Sequence, residues 1–325
     1  MDLVKEALWS SKSAKIQTLA IIVAVVVLAI VGNPAFSGAY TPLFLAWVLT
    51  YSVMAVAWTF FSGKTGYISL ASTAFMGLGM YMQVMLGRDL PLAVTMILSA
   101  LVAFAAAFGI GVITLRLRGV YFAIFTFGLA LFLNKIIRWY VVTFTFTKGH
   151  MVKSFDNDIV FYAVLVVMAI LLFSMILFNK SKFGLALDCI GQNEDSAQHM
   201  GVNTVFTKVM AFAISAAPVG AVGAVMSTTI GYVDPDIAFR IIASFFPVLM
   251  ATFGGMYSLY GPIVGAVVFF SLQDYLLRKT DYYMIVFGVV MIVVITLMPK
   301  GIFGLLETVI AKKHRKYDWE VVGDA

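Results

Sequence analysis

The chain has 325 residues, is 62% hydrophobic and only 12% charged, and carries a formal net charge of +6. A soluble domain holds about twice that charge fraction, so the long uncharged runs exclude a soluble fold and point to an all-α, polytopic membrane protein. The runs are also too long and uniform for the alternating strands of a barrel.

Runs of about 20 apolar residues place ten transmembrane helices near 16–32, 42–62, 65–86, 91–115, 119–137, 159–179, 208–230, 241–254, 261–277 and 282–298. Residues 1–15, with Lys5, Lys12 and Lys15, precede an apolar run without a small-residue cleavage site. They read as a cytoplasmic segment before a retained span, not as a signal peptide. Gly63-Lys64-Thr65 looks like the end of a phosphate-binding loop, but the glycine needed five residues earlier is Trp58. A span, not a strand, precedes it, so no nucleotide site is expected here.

The run GYISLASTAFMGLG (66–79) mixes Gly66, Gly77 and Gly79 with Ser69, Ser72 and Thr73 at membrane depth. Glycine permits close backbone approach, and hydroxyls can satisfy carbonyls freed where a helix breaks. Two readings stay open, close helix packing and a discontinuous helix beside a translocation path. Ser69, Ser72, Thr73, Thr126 and Ser258 are the candidate path residues, on polarity at depth. Residues 254–265 repeat the theme with Gly254, Gly255, Gly261, Pro262 and Gly265. Span 241–254 is short, contains Pro247 and is expected as a half-helix or a broken segment.

Between two long spans lies SKFGLALDCIGQNEDSAQHMGVN (181–203), a polar stretch with helical spacing. Leu185, Leu187, Ile190, Ala197 and Met200 give a partial apolar face, and Asp188, Gln192, Glu194 and Asp195 line much of the rest. One amphipathic helix is expected, bounded by Gly184 and Gly201. Starting inside, 14 of the 22 Lys and Arg residues fall on the cytoplasmic side, including Lys64, Arg118 and Lys208. This bias puts both termini and the 181–203 helix in the cytoplasm, with 301–325 as a cytoplasmic tail after a transmembrane region 16–300. It also accounts for the net positive charge without nucleic acid.

No ionisable residue is expected at the centre of any span. That argues against ion-coupled carriers and against membrane enzymes with paired carboxylates. One cysteine, Cys189, excludes an internal disulfide and a cysteine-built metal site. His150, His199 and His314 form no catalytic or metal motif. No catalytic residue, cofactor or metal is expected.

Four motifs in order, GYISLASTAFMGLG (66–79), LRLRGVYFAIFT (115–126), the 181–203 segment and GGMYSLYGPIVGA (254–266), with a closing MPKGIFG (298–304), resemble one family. The chain resembles the permeases of branched-chain amino acid ABC importers, LivM type, of the LivH/LivM family, over residues 40–305. It departs from that pattern at Leu185 and Asp188, where basic residues are usual, and at Val120 and Leu131, where acidic ones are. The resemblance implies that 181–203 is the coupling helix that docks on an ATPase subunit, with Gly184, Asp188, Gln192, Glu194, Ala197, Gln198 and Gly201 as its marked residues. It implies a second LivH-like permease, two ABC ATPase subunits, an extracytoplasmic solute-binding protein and membrane lipid as partners. The site is then a bacterial or archaeal cytoplasmic membrane. The substrate implied is a branched-chain amino acid; urea, an amide or another amino acid in the same family, or a facilitative channel without ATP, remain alternatives.

Overall fold

The computed structural model describes residues 40–256, 258, 260–279, 282, 285, 286, 288, 289 and 292. The expected span 16–32, most of 282–298, the 298–304 motif and the terminal segments 1–15 and 301–325 lie outside the described residues. In chain order the elements are α1 (Tyr40–Trp58, continued by a π turn, Thr59–Gly63), α2 (Ser72–Leu86), α3 (Leu92–Thr114) and α4 (Val120–Tyr140, continued by a π turn, Val141–Thr145). There follow β1 (His150–Met151), α5 (Asn157–Lys180), α6 (Lys182–Gln192), α7 (Glu194–His199), α8 (Thr204–Ile230) and β2 (Tyr232–Val233). The last are α9 (Pro235–Ala238), a 3-10 turn (Ile241–Ser244), α10 (Phe246–Gly254) and α11 (Gly261–Lys279).

Among the described residues six helical segments are long and apolar enough to cross a membrane: Pro42–Gly63, Leu92–Thr114, Val120–Thr145, Asn157–Lys180, Thr204–Ile230 and Pro235–Gly254. The protein is an all-α polytopic membrane protein. Inside α1, polar side chains turn back on the helix: Thr50 donates to the Ala46 carbonyl at 2.8 Å, Ser52 to Val48 at 2.8 Å and Thr59 to Ala55 at 2.9 Å. No hydroxyl of these three is left facing lipid unpaired.

The expected span 65–86 is not a continuous helix. Residues 66–71 are non-helical, and α2 starts only at Ser72. Gly66 has φ 75°, which glycine adopts without steric cost, and the chain turns back along α1, where Trp58 Nε1 donates to the Ser69 carbonyl at 2.8 Å. Backbone without a helix at this depth must find other partners. The Ser69 N–H donates to Ser62 Oγ at 3.3 Å, Leu70 N–H to Thr126 Oγ1 at 3.0 Å and Ala71 N–H to Ser69 Oγ at 3.3 Å. Serine and threonine at these positions are therefore what makes the break tolerable.

The expected span 241–254 also changes: it begins at Pro235 and is broken into α9, a 3-10 turn and α10. Asp234 caps its start, accepting from the Ile237 N–H at 2.7 Å. Pro247 falls in the first turn of α10, where its missing N–H has no helical partner to lose.

Helix α8 is the axis of the bundle. Burial covers 78% of its span against 22% for α3 and 28% for the α4 segment, so α3 and α4 turn one apolar face outward, with Ile97, Leu101, Ile113, Tyr121, Ile124 and Phe132 exposed. Small residues let α2, α3 and α8 approach: a Cβ on Gly220 would lie 2.5 Å from Ala103 Cβ and 2.7 Å from the Ser99 carbonyl, and Ser99 Oγ donates to the Gly79 carbonyl at 3.3 Å. A Cβ on Gly77 would lie 2.5 Å from the Phe239 ring. In the α10–α11 hairpin, a methyl on Gly254, Gly261 or Gly265 would run into facing main chain, Gly255 makes the turn, and Pro262 is buried in the first turn of α11.

Candidate functional site

Residues 181–203 form two helices where one was expected. Three side-chain caps explain the division. Ser181 Oγ accepts from the Gly184 N–H at 3.3 Å and opens α6; Asn193 Oδ1 accepts from Ser196 at 2.9 Å and opens α7; Asn203 Oδ1 accepts from Phe206 at 3.1 Å and opens α8. Asn193 itself is extended, with φ −160° and ψ 112°, and Glu194 and Asp195 follow in the first turn of α7, where carboxylates favour a helix start.

The segment lies flat against the bundle. Leu187, Ile190 and Ala197 are buried, whereas Leu185 and Met200 are 65% and 68% exposed. Asp188, Gln192 and Gln198 are exposed as well. Gly184 lies against the Phe178 carbonyl and Gly191 against that of Lys64, so α6 sits closer to its neighbours than a side chain would allow. Gly201, with φ 87°, ends α7, and the Val202 N–H returns to the Ala197 carbonyl at 3.1 Å.

Three ion pairs fasten this segment to the bundle, two of them to parts of the chain far from it in sequence. Lys64 Nζ meets Asp188 Oδ1 at 2.8 Å, Arg118 meets Asp195 Oδ1 at 3.0 Å, and Lys208 Nζ meets Glu194 Oε1 at 2.5 Å. The third is enclosed: the Lys208 side chain is 2% exposed and that of Glu194 16%. Lys208 also donates to Tyr67 Oη at 3.1 Å and to the Leu115 carbonyl at 3.3 Å, and its Nζ lies 4.4 Å from the centroid of the Tyr67 ring. Tyr67 in turn donates to Glu194 Oε2 at 2.5 Å. Burial pushes the Glu194 carboxyl up, but the hydrogen bonds from Lys208 and Tyr67 and the nearby Arg118 charge outweigh it and hold it below the usual carboxylate range.

Of the candidate path residues, four are drawn together and one is not. Ser69 and Ser72 line a small cavity of about 20 Å³ with Ser62 and Ser215. Thr126 holds the Leu70 N–H, while the hydroxyl of Thr73 pairs with that of Ser244 in the 3-10 turn. Ser258 instead lines a cavity of about 580 Å³ beneath α6, with Gly63, Lys64, Gly66, Asp188 and Gln192. There the two glycine-rich regions meet, because a Cβ on Gly63 would lie 2.9 Å from the Met256 carbonyl.

Sequence reasoning missed Lys208 and Tyr67 as partners of Glu194. Lys208 counted as a loop charge because it stands at the margin of an apolar run, yet it is 1% exposed. The available signal was its position: a lysine inside the first turns of a buried helix requires an acceptor. Among the described residues, no group of three or more His, Cys, Asp or Glu side chains is placed to hold a metal ion.

At the opposite end of the bundle β1 pairs antiparallel with β2, His150 opposite Val233 and Met151 opposite Tyr232. Asn134 Nδ2 donates to the Pro235 carbonyl at 2.7 Å, and Arg138 pairs with Asp236. The broken segment 235–254 is thus tied at one end to α4 and, through Ser244, to α2.

The apolar helices thus carry a break after Gly66, a glycine-rich turn between α10 and α11 and a polar helix pair fixed across one end. The family model described as "Branched-chain amino acid transport system / permease component" matches residues 40–295. The chain belongs to that family. Among its relatives are the high-affinity branched-chain amino acid transport system permease proteins LivM of Salmonella typhimurium, 25% identical, and of Escherichia coli, 24% identical. Each match runs over 295 residues, 79% of this chain and 68% of the relative. The xylose transport system permease protein XylH of Haemophilus influenzae is 28% identical over 122 residues, 35% of this chain and 31% of XylH.

Proposed function

We propose that this chain is the permease subunit of an ABC importer that moves branched-chain amino acids across the cytoplasmic membrane, driven by separate ATPase subunits. The observation that carries this reading is the α6–α7 pair. It is fixed to the bundle by three ion pairs, one of them through Asp188, yet it turns Leu185, Gln198 and Met200 outward. A rigidly mounted polar segment with two exposed apolar side chains suits a surface that a partner pushes against. The marked residues then divide by role: Gln198 faces the partner, Asp188 and Glu194 fasten the segment through Lys64 and Lys208, Gln192 lines the cavity beneath α6, and Gly184, Ala197 and Gly201 shape the segment.

In this reading α6–α7 is the coupling segment on the cytoplasmic side, and residues 1–15 and 301–325 lie on that side too. Ten crossings follow if 16–32 and 282–298 are added to the described helices, with α2 and the segment 235–254 as the broken ones. A binding protein delivers the amino acid to the β1–β2 end, and a second LivH-like permease completes the pathway. Ser69, Ser72, Thr73 and Thr126 would line it, with Ser258 at the cytoplasmic mouth. The hydroxyls that now satisfy the backbone of 66–71 are placed to exchange those bonds for a solute's as the segment moves.

The test is reconstitution of the chain with its partner permease, ATPase subunits and leucine-loaded binding protein in proteoliposomes. Labelled leucine should accumulate only with ATP. Uptake without ATP would make the chain a facilitative channel, and uptake of urea or an amide in place of leucine would overturn the substrate.

A further inference from the structure

We propose that Glu194, Lys208 and Tyr67 form an internal clamp through which α6–α7 drives the broken segment 66–71, a role that rests on the coupling function proposed above. The chain itself joins α6–α7 only to α5 and α8. The clamp adds a third body. Glu194 is bonded through Tyr67 to residues 66–71 and through Lys208 to the carbonyl of Leu115, Tyr67 and Glu194 standing 127 positions apart in sequence.

Three features make this a mechanical link and not a docking surface. Both Glu194 oxygens are engaged inside the protein, Oε1 by Lys208 and Oε2 by Tyr67. Lys208 is buried and reaches Glu194, Tyr67 and Leu115 at once. Beyond Tyr67 the connection continues without a gap: Leu70 is held by Thr126, and Thr73 by Ser244 of the broken segment 235–254. A displacement of α7 therefore reaches both discontinuous elements through bonded contacts. Burial of a charge pair contributes little net stability compared with apolar packing, but two short charge-assisted bonds fix direction well. The three are positioning residues, since none of them touches nucleotide or solute in this scheme.

The experiment compares Tyr67→Phe, Glu194→Gln, Lys208→Arg and the double variant Glu194→Leu with Lys208→Met in the reconstituted importer. It reads leucine imported per ATP hydrolysed, together with co-purification of the ATPase subunits. Tyr67→Phe and the double variant should lower that ratio about fivefold or more, with ATPase subunits still bound and hydrolysing; Lys208→Arg, which keeps the charge, should retain most of it. The double variant removes both charges together, so it avoids a stranded ion and tests the link where Glu194→Gln alone fails to fold. An unchanged ratio in the double variant overturns the clamp and leaves the coupling function standing. Loss of ATPase binding in a Glu194→Gln protein that keeps the wild-type thermal midpoint, or in the folded double variant, also overturns it, by making Glu194 a docking residue. Failure of the wild-type chain to hold ATPase subunits overturns both.

Discussion

At the α6–α7 end of the bundle Lys208 and Glu194 meet under cover, with side chains 2% and 16% exposed, whereas at the β1–β2 end Arg138 and Asp236 meet at side chains 43% and 65% exposed. The two ends also differ in what else holds them. The far end is joined by backbone, through the Val152 N–H donating to the Gly231 carbonyl at 2.9 Å and the strand pair; the α6–α7 end is joined by side chains. Backbone pairing survives the loss of any one side chain. A buried charge pair does not, because the surviving ion keeps its desolvation cost with nothing to offset it. The difference locates where the molecule is both stiff and sensitive.

The largest expected effect follows from that asymmetry. Glu194→Leu strands Lys208 in a buried site and should destabilise the protein by about 3–5 kcal/mol, read as a fall in thermal midpoint in nanodiscs. Its pH dependence has a definite sign. The Glu194 carboxyl is held below its ordinary value in the folded protein, so its contribution is complete above the unfolded value and is lost as pH falls through the folded one. The gap between wild type and Glu194→Gln should stay constant from neutral pH to about pH 5 and narrow only below about pH 4. A gap that closes already near neutral pH would mean that Glu194 is protonated there, and the contrast between the ends would collapse.

Next in size is Asn134→Ala at the far end. Asn134 is 7% exposed and gives its amide to the Pro235 carbonyl. The Pro235 carbonyl keeps the Phe239 N–H at 3.0 Å, so losing the Asn134 donor removes one buried hydrogen bond and should cost about 0.5–1.5 kcal/mol, less than Glu194→Leu because no ion is stranded. A larger loss would show that the far end depends on side chains after all.

How much of this was legible in the sequence depends on the range of the contact. The long spans were readable because apolar runs and their lengths are local, whereas the glycines and hydroxyls clustered at Gly66 left a break as only one of two open readings inside an expected span 65–86. The division of 181–203 into two helices was also written locally: Asn193 followed by Glu194 and Asp195 is a helix-start signal, outweighed by the apolar spacing running across it. The partners of Glu194 were not legible. Lys208 at the start of an apolar run looks the same whether it snorkels to water or is buried, and Tyr67 is a further 141 residues away from it. Only the packing of α8 against the 66–71 segment decides between the two.

The smallest expected effect is the sharpest check on the comparison, since it concerns the same chemistry at both ends in the open. Arg118 and Asp195 are 63% and 66% exposed, so water screens them much as it does Arg138 and Asp236. Arg118→Ala and Arg138→Ala should each leave the thermal midpoint nearly unchanged, with any effect fading in high salt. Equality of these two variants, set beside the large loss in Glu194→Leu, would show that burial and not charge is what separates the ends. If Arg118→Ala instead matched Glu194→Leu, the three ion pairs on α6–α7 would act as one network, and the clamp would extend from Glu194 to the 115–119 turn through Asp195 as well as through Lys208.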